Sequence, residues 1–458
     1  MKNLLDLLKN NRKIPMHMPG HKRNTALAPY LKCLGADIDI TEIDGFDNLH
    51  NSAGVLKKAM EKAAKLRGAD SAFYLINGTT CGILASVCAI LEDGDKAIVA
   101  RNCHKSVYNA IELARAKPVF VPPKICNKTG LAGEIDASDI ERKIKENPDA
   151  KVVIITSPTY EGIVSDILKI SKICEIAKIP LMVDAAHGAH FGFGYGFPED
   201  AVTLGADIVV ESLHKTLPSL TQTGICYAKK EYAEKISDKL AVFETSSPSY
   251  ILMASIDGCV SLLAEKSDEI FSVWQENLQR FYEKCEKLKN ISVLKDADGA
   301  FDRDIGKIVL FCENGKWLFD ELRKKGIECE MASCSYVLAM TGPGDTEEML
   351  SYFAASLLDI DKSALPKKDG LPVLEALPEQ KMSVYAAKKR EAECVNIADA
   401  KGRISAEYVW AYPPGIPIVI PGECIGDAEI AVFKQYEMSQ IELFGSGKTQ
   451  PGKILVIK

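Results

Sequence analysis

A lysine and a carboxylate stand at the ends of two apolar runs in the middle of the chain. Asp184 ends the run 179–183, and Lys215 follows the run 208–210, 31 residues after Asp184. A short apolar run that ends at a polar side chain is typical of a buried strand, and in parallel sheets ligands bind beyond the carboxyl ends of the strands. The two residues are therefore candidates for one site.

The neighbours of Lys215 indicate which chemistry such a site would perform. Lys215 ends the segment Ser212-Leu213-His214-Lys215, so hydroxyl and imidazole groups surround its amine. A lysine amine can form a Schiff base with an aldehyde, and a fixed carboxylate can keep a pyridine nitrogen protonated. A single lysine is usually a solvated surface charge, but the strand-end positions of Lys215 and Asp184 favour a site for pyridoxal 5′-phosphate (PLP).

The segment Asn77-Gly78-Thr79-Thr80 offers a second element of such a site. It follows the apolar run 72–76 and precedes a helix-like stretch. Small and hydroxyl residues at a strand-to-helix turn can bind a phosphate through backbone N–H groups and the helix dipole. The same segment is also compatible with a plain turn and helix cap, so its role as a phosphate site depends on Lys215 and Asp184.

Histidines add further candidates. All seven lie between His17 and His214, which suggests that the first half of the chain carries the chemistry. His104, at the end of another predicted strand, could cap a helix, lie in the core or stack on a pyridine ring. His187, three residues after Asp184, could also contact the cofactor.

The composition excludes several classes of protein. The 458 residues are 47% hydrophobic and 26% charged, and the net charge of −7 argues against nucleic-acid binding. No apolar run approaches the roughly 20 residues of a membrane span, and the first residues do not resemble a secretory signal. The fourteen cysteines are scattered, without a C-x-x-C pair. We therefore expect buried thiols, a cytoplasmic location and no metal site.

Short apolar runs alternate with amphipathic stretches between residues 70 and 230. This alternation predicts an α/β fold with a mainly parallel seven-stranded sheet covered by helices. The strands are predicted at 72–76, 96–100, 118–121, 152–156, 180–184, 208–211 and 225–228. A long helical region, 251–289, precedes smaller α+β domains, with further strands at 307–311, 327–331, 336–340 and 454–457. The predicted linker is 366–370.

Six segments of the chain occur in a recognisable order. They are Pro19-Gly20-His21-Lys22, Asn77-Gly78-Thr79-Thr80, Arg101-Asn102-Cys103-His104-Lys105-Ser106, Ser157-Pro158-Thr159-Tyr160-Glu161-Gly162, Ser212-Leu213-His214-Lys215 and Tyr412-Pro413-Pro414-Gly415-Ile416-Pro417. This order resembles that in the bacterial ornithine/lysine/arginine decarboxylases, a family with the aspartate-aminotransferase fold (PLP fold type I), and the resemblance runs from about residue 12 to the end of the chain. The resemblance implies an N-terminal arm (1–50), a PLP-binding large domain (51–257), a small α+β domain (258–365) and a C-terminal decarboxylase domain (366–458).

The resemblance also implies roles for individual residues. Lys215 would form the Schiff base, Asp184 would contact the pyridine nitrogen and His104 would stack on the ring. His214 would return a proton to the substrate carbon, and Glu330 and His21 would contact the substrate, although an exposed strand carboxylate is the alternative for Glu330. The residues expected to bind or border the cofactor are Gly78, Thr79, Thr80, His104, Asp184, His187, Ser212, His214, Lys215 and Ser247.

The chain also departs from the large members of the family. Those begin with a receiver-like domain that supports higher assembly, whereas this chain starts at the Pro-Gly-His region. We therefore expect a homodimer or dimer of dimers. The segment Thr245-Ser246-Ser247-Pro248-Ser249 resembles one that reaches the phosphate site of the neighbouring subunit in the family, which implies that Ser247 completes that site. His187 stands where the large members have a bulkier aromatic residue, so substrate preference should not be copied from them.

The type of reaction follows from the treatment of the substrate carboxylate. An aminotransferase holds it with an arginine, commonly on a late strand of the small domain, but the stretch 332–340 contains no arginine. This favours decarboxylation over transamination. The resemblance implies that the substrate is a basic amino acid and the product an amine for polyamine metabolism, with arginine ahead of lysine and ornithine because short members of the family often serve polyamine biosynthesis. The alternatives are another fold-type-I enzyme, such as an aminotransferase or lyase, and a non-catalytic regulatory homologue.

Overall fold

The computed structural model describes residues 3–126, 128–367, 377–411, 415–445 and 452–458. The chain divides into two compact units. The first comprises Met1–Leu91, Lys151–Val153 and Ile167–Ser272, and the second comprises Glu92–Ala150, Ile154–Asp166 and Val273–Lys458. The four domains expected from the sequence follow chain order instead, and their boundaries stay a prediction.

The strands are numbered in chain order. They are β1 (Ser71–Leu75), β2 (Lys96–Ala100), β3 (Lys117–Val121), β4 (Ala150–Thr156), β5 (Ile163–Val164), β6 (Leu181–Asp184), β7 (Ile208–Glu211), β8 (Gly224–Ala228), β9 (Ser292–Val293), β10 (Asp302–Arg303), β11 (Lys307–Phe311), β12 (Met331–Ala332), β13 (Tyr336–Met340), β14 (Ala392–Asn396), β15 (Val409–Ala411), β16 (Pro417–Val419), β17 (Leu443–Gly445) and β18 (Lys453–Ile457).

The main sheet has seven strands in the order β1-β8-β7-β6-β4-β2-β3. The pairs β6–β7 and β2–β3 are parallel, whereas β8 is antiparallel to both β1 and β7. Every residue of β6, β7 and β8 is buried, as their continuous apolar sequences require in a sheet that is covered on both faces. The predicted mainly parallel α/β sheet is confirmed, and each of the seven strands predicted for it lies within two residues of its observed bounds.

The helices connect these strands. They are α1 (Leu4–Asn10), α2 (Val55–Arg67), α3 (Gly78–Ile90), α4 (Lys105–Leu113), α5 (Ala137–Glu146), α6 (Ile167–Ala177), α7 (Leu213–Thr216), α8 (Lys230–Phe243), α9 (Tyr250–Cys285), α10 (Gly315–Lys324), α11 (Glu347–Ile360), α12 (Val384–Lys388) and α13 (Asp427–Met438), with 3₁₀ turns at Pro29–Leu34, Leu49–Asn51 and Ile397–Asp399.

The second unit contains a four-stranded sheet in the order β12-β13-β11-β9. The strand predicted at 327–331 is wrong for its first four residues, since β12 begins only at Met331. The chain there is still leaving α10, because Gly326 has a φ of +76° and Ile327 N donates a hydrogen bond to Leu322 O. This helix-terminating turn occupies the first residues of the alternating sequence Ile327-Glu328-Cys329-Glu330-Met331, for which a strand was predicted.

Some predicted features lie outside the described residues, namely Tyr412–Pro414 of the Tyr-Pro-Pro-Gly segment and residues 368–370 of the linker. Across the described ranges, no helix is long and apolar enough to cross a membrane. In that same part of the chain, no three His, Cys, Asp or Glu side chains are grouped so that they could hold a metal ion. No disulfide joins any two of the cysteines there.

Candidate active site

Strands β6 and β7 deliver the central residues to one edge of the sheet. The two strands are parallel neighbours, and Asp184 at the end of β6 lies opposite Val210 in β7. Ala185 N extends the pairing by donating a hydrogen bond of 3.0 Å to Val210 O. Because both strands end at this edge, the segments that follow them begin side by side, as the sequence predicted.

Asp184 is a deeply buried carboxylate. It is 2% exposed, and its Oδ1 accepts a hydrogen bond of 3.2 Å from Ala186 N. Burial raises the pKa of Asp184, while the positive charge of Lys215 acts in the opposite direction. A carboxylate in this position favours a nearby cation, because its charged form is poorly solvated.

Lys215 and His187 are in direct contact. Lys215 lies in the short helix α7, and its Nζ is 3.0 Å from Nε2 of His187. His187, which is 6% exposed, follows Asp184 in the turn after β6. The structure therefore brings together the lysine, imidazole and carboxylate predicted from the sequence, although it does not itself test their roles.

The start of α3 approaches the same strand end through two hydroxyl groups. Thr79 Oγ1 lies 2.8 Å from Oγ of the fully buried Ser212. Gly224 makes this approach possible, because a Cβ there would lie 2.9 Å from Thr79 Cγ2. The side chain of Asn77 does not cap α3, and the first N–H groups of a helix have no partner within it. This terminus therefore has the donors and dipole direction that suit an anion.

The glycine and the second threonine of this turn differ in their environments. Gly78 has a φ of +73°, and a Cβ built on it would meet no heavy atom within 4 Å. The side chain of Thr80 is exposed, unlike that of Thr79. There is consequently open space beside the turn on the side of Gly78.

His214 has a defined hydrogen-bonding state. Its Nδ1 lies 2.9 Å from Thr223 O, so Nδ1 carries a proton that it donates to this carbonyl. Burial lowers the pKa of His214, and the positive charge of Lys215 lowers it further. The imidazole is accordingly held towards its neutral form, with Nε2 as its acceptor.

Ser247 lies in an exposed segment that begins next to the α3 turn of its own chain. Thr245 N donates a hydrogen bond of 3.4 Å to Asn77 Oδ1, and Thr245 O accepts one of 3.0 Å from His50 Nε2. Ser247 N donates to Thr245 Oγ1. The predicted contact of Ser247 with a neighbouring subunit remains a prediction.

Three candidate residues are placed by other parts of the fold. His104 caps α4, because its Nδ1 accepts a hydrogen bond from Ser106 N and lies 2.9 Å from Ser106 Oγ. His21 Nε2 lies 3.3 Å from Asp39 Oδ2. Glu330 directly precedes β12 and is exposed, and its backbone N–H donates to Leu338 O. None of these contacts tests the functional role that the sequence predicted.

A buried ion pair behind the site was missed by the sequence analysis. Arg67 in α2 donates to the carbonyl oxygens of Ala189 and Phe191, and its Nη2 lies 3.1 Å from Glu211 Oε2 at the end of β7. It thereby ties the segment after His187 to the strand before Ser212. The sequence did contain an indication of this pair. Glu211, like Asp184, ends an apolar strand, and a carboxylate buried there requires a partner.

Comparison with known proteins identifies the class. Residues 2–310 match the family model "Orn/Lys/Arg decarboxylase, major domain", and residues 369–444 match "Orn/Lys/Arg decarboxylase, C-terminal domain". The chain belongs to the Orn/Lys/Arg decarboxylase family. The predicted enzyme class, a PLP-dependent amino-acid decarboxylase, is thereby confirmed.

Individual relatives extend over almost the whole chain. Arginine decarboxylase of Halalkalibacterium halodurans is 30% identical over 454 residues, which cover 94% of this chain and 92% of the relative. Arginine decarboxylase of Bacillus subtilis is 30% identical over 451 residues, which cover 93% of this chain and 91% of that relative. The crystal structure of the Francisella novicida lysine decarboxylase LdcF has a TM-score of 0.85 at 17% identity, and covers 100% of this chain and 81% of that chain. This likeness confirms the predicted fold.

Proposed function

We propose that this chain binds PLP at Lys215 and decarboxylates a basic amino acid, with arginine as the preferred substrate. The observation that carries the proposal is the placement of Asp184 at the end of β6 and of Lys215 in the short helix that follows the adjacent parallel strand β7. The donor set fits PLP, because it combines an amine for the aldehyde, a carboxylate for the ring nitrogen and a helix N-terminus for the phosphate. When bound, PLP supplies an electron-accepting ring for the substrate α-carbon.

Lys215 and His187 are proposed to act as a pair. The Nζ of Lys215 must lose a proton before it can act as a nucleophile. Nε2 of His187 lies 3.0 Å away, within hydrogen-bond distance, so a neutral His187 can accept that proton. We assign His187 the further role of orienting the lysine amine.

Asp184 is proposed to hold a proton on the pyridine nitrogen. A charge-assisted hydrogen bond to a ring N–H would offset the cost of burying this carboxylate. Burial raises the pKa of Asp184, so a cationic partner beside the carboxylate would stabilise its charged form. His104, whose ring is oriented by Ser106, is proposed to be the residue that would stack on the cofactor ring.

The phosphate is assigned to the N-terminus of α3. Backbone N–H groups of Thr79 and Thr80 and the hydroxyls of Thr79 and Ser212 would bind its oxygens, with the open space beside Gly78 as the approach. His214 would border this group. Its lowered pKa means that a proton placed on Nε2 is readily released, which suits a residue that returns a proton to the substrate carbon.

Glu330 and His21 are proposed to bind the substrate. An exposed carboxylate can pair with the distal guanidinium of arginine, which suits bidentate contact. Arginine is preferred here because the two relatives at 30% identity are named arginine decarboxylases, whereas the lysine decarboxylase LdcF is 17% identical. The absence of an arginine from 332–340 supports loss of the substrate carboxylate over its retention.

The oligomeric state, the cellular location and the metabolic role are parts of the same proposal. We assign a homodimer, or a dimer of dimers, in which the exposed Ser247 completes the phosphate site of the neighbouring subunit. Many cysteines are buried, and none of the cysteines in the described ranges forms a disulfide, which suits a reducing cytoplasm. The amine formed from arginine would be a precursor for polyamine metabolism.

A product assay tests the proposed function. The PLP-loaded protein is offered arginine, lysine and ornithine separately, and CO₂ and the organic product are both measured. We expect CO₂ together with the matching amine, and the highest kcat/KM for arginine. A keto acid without CO₂ would instead identify an aminotransferase, and a lack of product with all three amino acids would contradict the proposal.

A further inference from the structure

The segment Ser157–Gly162 was singled out in the sequence but has no role in the proposed function so far. It forms a tight turn, in which Gly162 N donates a hydrogen bond of 3.0 Å to Thr159 O and Thr159 N donates one of 2.8 Å to Ile163 O. Gly162 has a φ of +94°, and a Cβ there would lie 2.7 Å from Lys307 Cγ. The backbone of this turn is therefore fixed, and with it the origins of two side chains, Tyr160 and Glu161.

Two tyrosine–glutamate pairs join this turn to the β12–β13 hairpin. Tyr160 in the turn donates its hydroxyl to Glu330 Oε1 beside the hairpin, and Tyr336 in the hairpin donates its hydroxyl to Glu161 Oε1 in the turn, at 2.7 Å. The pairs are reciprocal, since each element supplies one tyrosine and one glutamate.

The two pairs differ in their exposure to solvent. Glu161 is 7% exposed, and burial raises its pKa, so its pair with Tyr336 has the properties of a structural contact. Glu330 is exposed, and a carboxylate that accepts one hydrogen bond on Oε1 retains acceptor sites, including both lone pairs of Oε2. The Tyr160 pair can therefore take part in binding a ligand from solution.

We propose that Tyr160 is a specificity-determining residue, which positions the carboxylate of Glu330 for the planar guanidinium of the substrate. The Tyr160 ring packs against a core cluster that contains Ile163, Val309 and Leu338. This packing restricts the movement of the ring and therefore of its hydroxyl. A donor fixed to Oε1 restricts rotation of the carboxylate and sets the plane in which Oε2 is presented. The inference rests on the role proposed above for Glu330.

Substrate geometry gives this inference a distinctive consequence. A guanidinium requires a correctly oriented carboxylate for bidentate binding, whereas an ammonium is a point charge that tolerates many orientations. Loss of the Tyr160 hydroxyl should therefore weaken the binding of arginine more than the binding of lysine. An uncharged analogue of arginine, such as citrulline, should bind almost unchanged because it offers no cation to Glu330.

The experiment compares the PLP-loaded wild type with Tyr160→Phe, Glu330→Gln, the double variant and the matched control Tyr336→Phe. KM and kcat are measured for arginine and lysine, and the inhibition constant is measured for citrulline. For Tyr160→Phe we expect KM for arginine to rise about 3- to 10-fold, as for one lost hydrogen bond, with kcat within about 2-fold. The control variant Tyr336→Phe should lower Tm, and any change that it causes in KM should be the same for arginine and lysine.

The double variant separates the two levels of the argument. If Tyr160 acts through Glu330, adding Tyr160→Phe to Glu330→Gln should cause no further loss on arginine. Equal losses of Tyr160→Phe on arginine, lysine and citrulline, or losses that multiply in the double variant, would overturn the role of Tyr160 alone. If the loss caused by Glu330→Gln is no larger for arginine and lysine than for citrulline, the proposed role of Glu330 fails and the inference fails with it.

Discussion

Asp184 and Glu330 are two carboxylates to which the same kind of task, pairing with a cation, is assigned in opposite environments. Asp184 is buried at the end of β6, and its pKa is raised by that burial. Glu330 is exposed before β12 and accepts a hydrogen bond from Tyr160. A buried carboxylate requires a permanent partner, whereas an exposed one can exchange its partner with water. This contrast suits a resident cofactor in the first case and a transient substrate in the second.

The energetic consequences differ accordingly. Removing one member of a buried charge pair typically costs about 3–5 kcal/mol, whereas exposed pairs contribute about 0–1 kcal/mol to stability. Substitutions at Asp184 should therefore affect every substrate alike, because they change the cofactor site. Substitutions at Glu330 should leave the fold intact and affect only substrates that carry a distal cation.

The largest effect is expected for Asp184→Asn. The amide cannot hold the proton on the pyridine nitrogen as a carboxylate does, so turnover should fall by about 10²- to 10³-fold, as when one fixed electrostatic group is lost. Cofactor affinity, measured by absorbance titration with PLP, should change much less than kcat. Near-normal turnover would show that another residue contacts the ring nitrogen.

Glu330→Gln should give a smaller loss that depends on substrate charge. A charge-assisted hydrogen bond that the bound substrate shields from water contributes about 1.5–3 kcal/mol, more than a pair that stays exposed, so kcat/KM for arginine should fall by roughly 10- to 100-fold. The inhibition constant of citrulline serves as the control and should hardly change. Equal losses for arginine and citrulline would indicate a structural role for Glu330. They would contradict the proposed division of roles, in which Asp184 contacts the cofactor and Glu330 the substrate.

Hybrid dimers test whether the buried site is complete within one chain. Lys215→Ala protein is mixed with Ser247→Ala protein, under conditions of demonstrated subunit exchange. If Ser247 serves the neighbouring subunit, each hybrid contains one intact site, and activity should recover to about a quarter of the wild-type value when the chains mix at random. Failure to recover would indicate that Ser247 serves its own chain, consistent with the bond between Thr245 N and Asn77.

The smallest effect concerns His214 and pH. Its pKa is lowered in the folded protein, so the unfolded chain binds the proton more readily between the lowered pKa and the ordinary value near 6.5. Wild-type stability should therefore fall as pH decreases below about 6.5, and His214→Gln should lose that part of the dependence, by less than about 1 kcal/mol given the partial exposure of the imidazole. Urea unfolding from pH 5 to 7.5 would measure this, and identical slopes for both proteins would contradict it.

The sequence predicted the regular parts of the fold well, because buried strands such as β6 and β7 are apolar up to a charged last residue. It also predicted which side chains follow those strands, and thus the contact region of Lys215, His187 and Asp184. It did not predict Arg67 with Glu211, or Tyr160 with Glu330. Those pairs join residues more than 140 positions apart, and periodicity within single elements carries no information about such contacts.

The central claim is that Lys215 is the residue that holds the cofactor. Borohydride reduction of the PLP-loaded protein, followed by proteolysis and mass spectrometry, tests it most directly because the reduced product remains attached to the reacting lysine. We predict a pyridoxyl label on the peptide that contains Lys215, and loss of both label and turnover, by at least about 10³-fold, in Lys215→Ala. A label on another lysine, such as Lys105, or turnover that survives in Lys215→Ala, would contradict the account.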